Sequence, residues 1–244
     1  MSNTTGQLIP DAQAFLAELA KNNSRDWFKT QKSRYDLQVR DPAQTLLSEV
    51  ADYLRPHHPG IQGKLFRPQR DLRFSKNKTP YHTHVHMLWQ LPGLPGAGLF
   101  FGIEANRLRV GGGVMTLKGA ALTRWRSAVA GQPFTRDYPT AGLDHVAGHD
   151  ASPDSGFADE LAALTDILTL KRFMANAAEL TRVPAPFGKT HPHADLLRRK
   201  SLTLWCDLDP KAQIVPMGTI CSAALMLEPL FILLRPILTD IDTA

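Results

Sequence analysis

Gly98-Leu99-Phe100-Phe101-Gly102-Ile103-Glu104-Ala105-Asn106-Arg107-Leu108-Arg109-Val110-Gly111-Gly112-Gly113 is the stretch on which the fold class turns. Two short apolar arms, one rich in aromatic and β-branched residues, flank a polar link, a pattern of antiparallel strands. Asn106 is placed to turn one arm into the other, because asparagine tolerates positive φ. The triple glycine predicts that the second arm breaks or bulges there. It lets a backbone approach closely but fits neither a dinucleotide-binding loop nor a P-loop.

Outward from this stretch, Thr83 to Gln90 and Leu202 to Cys206 read as further strands, with strand segments expected over Gly98 to Ala105 and Arg107 to Leu117. Toward the N-terminus the period changes to that of helices. Phe15, Leu16, Leu19 and Ala20 form one apolar stripe ending at Asn22-Asn23, and Trp27, Phe28, Tyr35 and Val39 form a second. Asp41-Pro42-Ala43-Gln44 supplies a capping residue, a first-turn proline and an amide three positions on, opening a third helix with Leu46, Leu47, Val50 and Leu54 inward. Arg55 to Gly63 reads as loop. Leu117 to Ala130 and Phe157 to Leu180 are expected to be mainly helical, with a surface excursion between them over 131–156 and a loop over Pro184 to Pro192. The prediction is a single α+β domain over 1–244, a largely antiparallel sheet packed with N-terminal helices and a buried C-terminal helix.

With 244 residues, 43% of them hydrophobic, the chain can bury a substantial core. Its net charge of +5 is modestly basic, which suits phosphate-bearing partners without naming one. Cys206 and Cys221 have neither redox nor zinc spacing, so a reducing cytoplasm is the expected compartment. Met1 to Gln13 shows no signal-peptide pattern. Met217 to Ile237 is apolar but carries Glu228, Pro229 and Arg235, so it reads as a buried helix and not a membrane span.

Chemistry concentrates in Phe66-Arg67-Pro68-Gln69-Arg70-Asp71-Leu72-Arg73-Phe74-Ser75-Lys76-Asn77-Lys78-Thr79-Pro80-Tyr81. Clustered cations cost several kcal/mol to bury unpaired, so such a run points to a site with something anionic in it. The prolines exclude one continuous helix. If Arg70 to Ser75 is extended, Asp71, Arg73 and Ser75 share one face and Arg70, Leu72 and Phe74 the other. Asp71 is then positioned to hold an arginine. The remaining cations meet a phosphate or carboxylate. The competing structural reading is a salt-bridge network that ties the loop to the sheet. Ser75-Lys76-Asn77-Lys78 also fits the serine-x-x-lysine pattern of penicillin-binding enzymes, but Pro80 ends any helix at once and the accompanying lysine-threonine-glycine is absent.

His82, His84 and His86 alternate, so a strand would project all three to one side, an arrangement a zinc or iron site can use. Without an evident carboxylate partner, a partly exposed histidine face is the simpler reading. His145 and His149 lack a third ligand at readable spacing. His191, on the Pro186 to Pro192 loop, is a candidate general acid or base, or a cap for the helix expected over Ala194 to Arg199.

The chain resembles the bacterial and fungal family of domain of unknown function 2461. The resemblance rests on Asn22 to Phe28 with Tyr35, on Arg70 to Tyr81, on the triple glycine, and on Pro186 to Pro192 followed by Leu196 to Ser201. It implies a compact α+β domain and supplies no activity, cofactor or catalytic residue. Where the family's central block usually reads proline-tyrosine-lysine, this chain has Pro80-Tyr81-His82, which makes the three-histidine face particular to it.

The functional expectation is a basic cleft for a small phosphorylated or carboxylated ligand. Arg70, Arg73, Ser75, Lys76, Lys78 and Tyr81 would bind the ligand, and Asp71 and His191 would carry any acid–base step; no cofactor is specified. Nucleic acid ranks second as partner, since Phe66, Phe74 and Tyr81 read more simply as core anchors than as stacking platforms. A metal-dependent enzyme using the histidine face and a scaffold protein remain as further alternatives.

Overall fold

A computed structural model of the protein describes residues 6–73, 75–132, 156–211 and 216–239. Most of the expected excursion, with His145 and His149, lies outside the described residues, as does Phe74. The chain opens with helices α1 (Leu8–Lys21), α2 (Arg25–Thr30) and α3 (Lys32–Tyr35), a π-helical turn (Asp36–Arg40) and α4 (Asp41–Leu54). Strands β1 (Gln62–Leu65), β2 (His84–Gln90), β3 (Ala97–Glu104) and β4 (Leu108–Val114) follow. Helices α5 (Gly119–Val129) and α6 (Phe157–Leu170), strand β5 (Met174–Ala175), helix α7 (Ala194–Leu197), strand β6 (Leu202–Leu208) and helix α8 (Pro216–Leu238) complete the described elements. The strands form one antiparallel sheet in the order β1-β2-β3-β4-β6-β5, so the α+β class is as expected.

The chain divides into two compact units. The first comprises Met1–Gln90, Leu99–Val110 and Asp207–Ala223. In it, Leu8, Ala12, Phe15, Leu16 and Leu19 bury one stripe of α1, the consequence of their three-and-four spacing. Ser24 accepts a hydrogen bond from the Trp27 N–H at 3.2 Å and so caps α2. Asp41, expected to cap the third helix, is itself helical, because the chain runs on from Lys32 to Leu54 through the π turn. Pro42 has no N–H and crowds the turn before it, and the wider π turn makes room for its ring. β2 alternates strictly. Val85, Met87 and Trp89 are buried and His84, His86 and Leu88 half-buried. The buried Trp89 indole donates to the Leu47 carbonyl of α4 at 3.0 Å. β1, inside and beyond the segment expected to be loop, lies close on α4: a Cβ at Gly63 would come within 2.7 Å of Leu47 Cδ2.

The second unit comprises Leu91–Gly98, Gly111–Cys206 and Ala224–Ala244. Trp125 of α5 is buried, packs edge-on against Phe157 with ring centroids 5.7 Å apart, and donates to the Leu196 carbonyl at 2.9 Å. α6 stops at Leu170, well short of the expected Leu180, with Arg172 at φ 68° just beyond it. The triple glycine does not break its strand. At Gly111 and Gly113 an added Cβ would lie 2.2 and 2.1 Å from the Leu204 and Leu202 carbonyls of β6, and at Gly112 it would lie 3.0 Å from Leu227 and Phe231 of α8. Asn106 turns the chain as expected but without positive φ.

α8 is long and apolar enough to cross a membrane by length and composition alone, and 56% of its most apolar window is buried inside the protein. Leu227, Leu230, Phe231, Leu234 and Ile237 are among its buried residues.

Gly113, at φ 131°, combines a left-handed backbone with a carbonyl contact. Gly113→Ala is expected to destabilise the protein by roughly 3 kcal/mol or more. Gly188→Ala, where nothing lies within 4 Å of the new Cβ, is expected to change it by less than about 0.5 kcal/mol. Denaturant midpoints of the two variants check this.

Candidate functional site

The basic run forms the tip of a β-ribbon that prolongs β1 and β2. Leu65 faces Met87 and, farther out, Gln69 faces Tyr81, so the β2 side carries two extra residues and bulges. Phe66 N–H donates to the His86 carbonyl at 3.0 Å, His82 N–H to the Pro68 carbonyl at 2.7 Å and Arg70 N–H to the Pro80 carbonyl at 2.9 Å. The bond from Arg70 to Pro80 closes the ribbon, and in the loop beyond it Asp71 and Arg73 lie together as expected while Ser75 does not join them.

Within this loop the candidate residues separate. Asp71 accepts from the Arg73 backbone N–H at 3.1 Å and from its guanidinium at 2.6 to 3.1 Å, a local pair on the surface with Arg73 79% exposed. The Arg73 guanidinium, followed by its backbone N–H, holds the Asp71 carboxyl below the usual range. That suits it to clamping Arg73 and makes it a poor proton acceptor. Lys78 donates to the Leu72 carbonyl at 3.1 Å. Lys76 is exposed and has no hydrogen bond or ion pair with a described residue. Ser75, expected beside Asp71, instead meets Arg70 at 3.3 Å and donates to the Asn77 carbonyl at 2.9 Å. Arg70 also donates to Thr79 Oγ1 at 2.8 Å, and Thr79 is itself fixed by Asn77 Oδ1. Arg70 is thus half-buried and oriented by two neutral hydroxyls.

Tyr81 is an anchor. Its ring stacks on Phe28 with centroids 4.1 Å apart and planes 15° apart, beside Phe15 and Tyr35. Asn23 grips its backbone from both sides, donating to the Tyr81 carbonyl at 3.0 Å and accepting from the Tyr81 N–H at 3.1 Å. The side-chain amide thereby supplies the donor and acceptor that a neighbouring strand would present. Phe66 departs from expectation: it is 42% exposed, with the Lys64 ammonium 5.0 Å from its ring centroid.

From Tyr81 the strand leads into the histidines. The His82 and His84 rings are 4.7 Å apart, and those of His84 and His86 are stacked at 3.8 Å and 15°. Parallel stacked rings direct their nitrogen lone pairs side by side, not toward one point as a metal requires. Among the described residues no group of three His, Cys, Asp or Glu is placed to hold a metal ion. Burial lowers all three imidazoles, and neighbouring charges add to it: Arg70 for His82, His82 and then Arg70 for His84, and His84 and then Arg109 for His86, which falls to about 4. The column is therefore neutral at pH 7.

Beyond His86, a Cβ at Gly102 of β3 would come within 3.3 Å of the His86 ring and 3.2 Å of Arg109 Cγ, so the glycine lets the two side chains close over it. Arg109 is lowered by burial and by Arg107, against the pull of Asp207 and Glu104. Asp207 of β6 accepts both ends of the Arg107 fork at 3.0 Å. Charges at this end of the column are balanced, unlike those around Arg70. Asn23 reads in the sequence as a helix stop and Thr79 as one residue of the basic run, but neither pattern shows the partner each one meets; Arg109 carries no role in the sequence reading.

His191 belongs to the second unit. Its Nδ1 accepts from the His193 backbone N–H at 3.1 Å, a local turn preceding α7. Nearby, Asn176 binds Ser201 Oγ at 2.8 Å and the Thr203 N–H at 2.8 Å. The buried Arg199 is held by Asp195 at 2.8 Å and donates to the Asn176 carbonyl. Glu179 accepts from Ser201 and from the Lys200 N–H, and these bonds outweigh burial to keep its carboxyl low. The block Leu196 to Ser201 thus locks the 176–180 segment against β6.

A six-stranded antiparallel sheet with helices before and after it, bearing a ribbon docked by Asn23 and Phe28, defines an α+β protein built around these blocks. Residues 11–221 match the family described as conserved hypothetical protein, domain of unknown function 2461, and the chain belongs to that family. Comparison with curated proteins and with solved structures gave no significant match.

Asn23→Ala removes both bonds to Tyr81. It is expected to cost about 1–2 kcal/mol and to speed hydrogen exchange at the Tyr81 amide, which NMR reads directly. A second expectation concerns pH. His86 is lowered from 6.5 to about 4, so between those values the unfolded chain binds a proton that the folded chain does not. Stability should fall as pH drops through this window, and His86→Leu should flatten the slope measured by urea unfolding.

Proposed function

We propose that the protein binds a small phosphorylated or carboxylated ligand at the corner formed by Arg70, Ser75, Thr79, His82 and His84. One observation carries the reading: Arg70 is half-buried and is oriented by the Thr79 and Ser75 hydroxyls, at 2.8 and 3.3 Å, and not by a carboxylate. A guanidinium has five N–H donors, and those not spent on the hydroxyls remain to fork an anion. His82 and His84, kept neutral in part by Arg70, each offer one N–H to the same anion. Exposed Arg67 and Lys76 add attraction at longer range.

A bound anion stabilises the imidazolium form and raises the pKa of these histidines. Binding therefore takes up a proton and strengthens as pH falls below neutral. The same neutral imidazoles can accept a proton from a bound substrate, so the corner supports acid–base chemistry better than Asp71 does. A reducing, cytoplasmic setting accords with the two buried free thiols, Cys206 and Cys221.

Calorimetric titration with inorganic phosphate, citrate and ribose 5-phosphate, at low and high salt, tests the reading. At least one is expected to bind with a dissociation constant that decreases from pH 8 to pH 6. Arg70→Gln should weaken it tenfold or more, consistent with the roughly 1.5–3 kcal/mol of a charged hydrogen bond. Arg73→Ala, which breaks only the surface pair with Asp71, should change it less than about twofold. Equal affinity in wild type and Arg70→Gln would overturn the proposal.

A further inference from the structure

We infer that the ligand at the Arg70 corner also carries a planar heterocycle that stacks on Phe66, so that the site takes a nucleoside monophosphate. The inference rests on the anion site proposed above and adds what occupies the rest of the surface.

Phe66 is a large aromatic that stands 42% exposed on the ribbon. Its neighbour Leu65 is the residue that faces buried Met87 across the β1–β2 ladder, so alternation turns Phe66 to the opposite face. There it is paired with His86 through its backbone N–H, and paired residues of an antiparallel ladder share a face. Phe66 therefore lies on the side of the sheet that carries the imidazole column. Lys64, two residues back and on that same face, holds its ammonium 5.0 Å from the ring centroid. A flexible, exposed lysine over a ring gives way to a heterocycle and is left positioned for the heterocycle's carbonyl or the phosphate.

The spacing suits one ligand bridging two ends. Between Phe66 with His86 and Arg70 with His82 lie two ring spacings, 3.8 and 4.7 Å. A base on Phe66 and a phosphate on Arg70 would place the sugar along His84. A neutral imidazole edge supplies hydrogen bonds to hydroxyls there. A longer strand of nucleic acid is held by a succession of phosphate contacts; here Arg73 and Arg107 are matched by Asp71 and Asp207, Lys78 is tied to the Leu72 carbonyl, and Lys64, Arg67 and Lys76 are exposed, so Arg70 is the half-buried cation of the corner. That corner and the exposed Phe66 ring suit one anionic group and one heterocycle.

The test compares AMP, UMP, ribose 5-phosphate, inorganic phosphate and a trinucleotide with the full chain, by calorimetry. The expected result is that AMP and UMP bind about tenfold tighter than ribose 5-phosphate, as one stacked ring provides. Phe66→Ala should bring them down to the ribose 5-phosphate level while leaving ribose 5-phosphate itself unchanged. Phe66→Tyr should keep the advantage. If ribose 5-phosphate binds as tightly as AMP, the heterocycle inference falls and the anion site stands. The same holds if Phe66→Ala weakens both equally, since Phe66 then only supports the ribbon. If no probe binds, both readings fall. A trinucleotide binding far tighter than UMP, with a steep salt dependence, would overturn the inference in favour of a single-stranded nucleic-acid surface.

Discussion

The sheet depends on two positions in β4 that have no room for a side chain, Gly111 and Gly113, and on the crowded Gly112 between them. At Gly111 and Gly113 the Leu204 and Leu202 carbonyls of β6 occupy the place a Cβ would take, and at Gly112 Leu227 and Phe231 of α8 approach to 3.0 Å. Any other residue must push back a strand or a helix, and a backbone carbonyl has nowhere flexible to go. The glycines thus convert a strand into a thin partition with β6 against it on one side and the apolar helix on the other. Their conformational cost is offset by what the close approach lets the neighbours bury.

A second constraint fixes the ribbon. A two-stranded ribbon is marginal by itself in water, and this one is bulged as well. Asn23 and Phe28 compensate, the one by backbone hydrogen bonding to Tyr81 and the other by stacking on its ring. Asn22 to Phe28 and Arg70 to Tyr81 are far apart in sequence yet form one structural unit. In that unit Ser24 caps the short helix that presents Phe28. The polar mixture that looks excessive for a loop is largely the set of bonds that lets a loop of this length hold a single shape.

The helices are legible because their burial follows local period, as in α1 and α4, and the four inner strands, β2, β3, β4 and β6, because they alternate or carry continuous apolar runs. β1 and β5 are not, since Gln62-Gly63-Lys64-Leu65 and Met174-Ala175 have no pattern of their own and become strands by pairing with β2 and β6. The glycine triplet was read as a break because a sequence shows the freedom of glycine but not what approaches it. The same limit applies to the site. The run from Phe66 to Tyr81 announced itself by composition. The division of its cations was set by Thr79 turning toward Arg70 and by the closing bond from Arg70 to Pro80. His84 and His86 lie on one side of β2, as expected, while His82 precedes the strand with its ring 4.7 Å from that of His84; the Arg109 and Gly102 beside them come from strands that sequence order does not bring together.

The residues of the basic run divide between those whose local bonds close the loop and Arg70, on which the proposed binding reading rests. Asp71 matches the charge of Arg73 inside the loop, as a lock requires, whereas Lys78 and Arg70 are oriented by neutral acceptors, the Leu72 carbonyl and the Thr79 and Ser75 hydroxyls, which do not cancel their charge; of these two cations Arg70 is the half-buried one. Burial first, and then neighbouring charges that include Arg70, lower His82 and His84. Such an arrangement leaves positive potential in a half-buried corner where water solvates it less well than at the surface. On the proposed reading an anion gains more there than beside Arg73, whose charge is already matched by Asp71 and screened by solvent. On the proposed reading, the locked residues serve the unlocked one: they hold the loop so that the geometry around Arg70 exists before the ligand does.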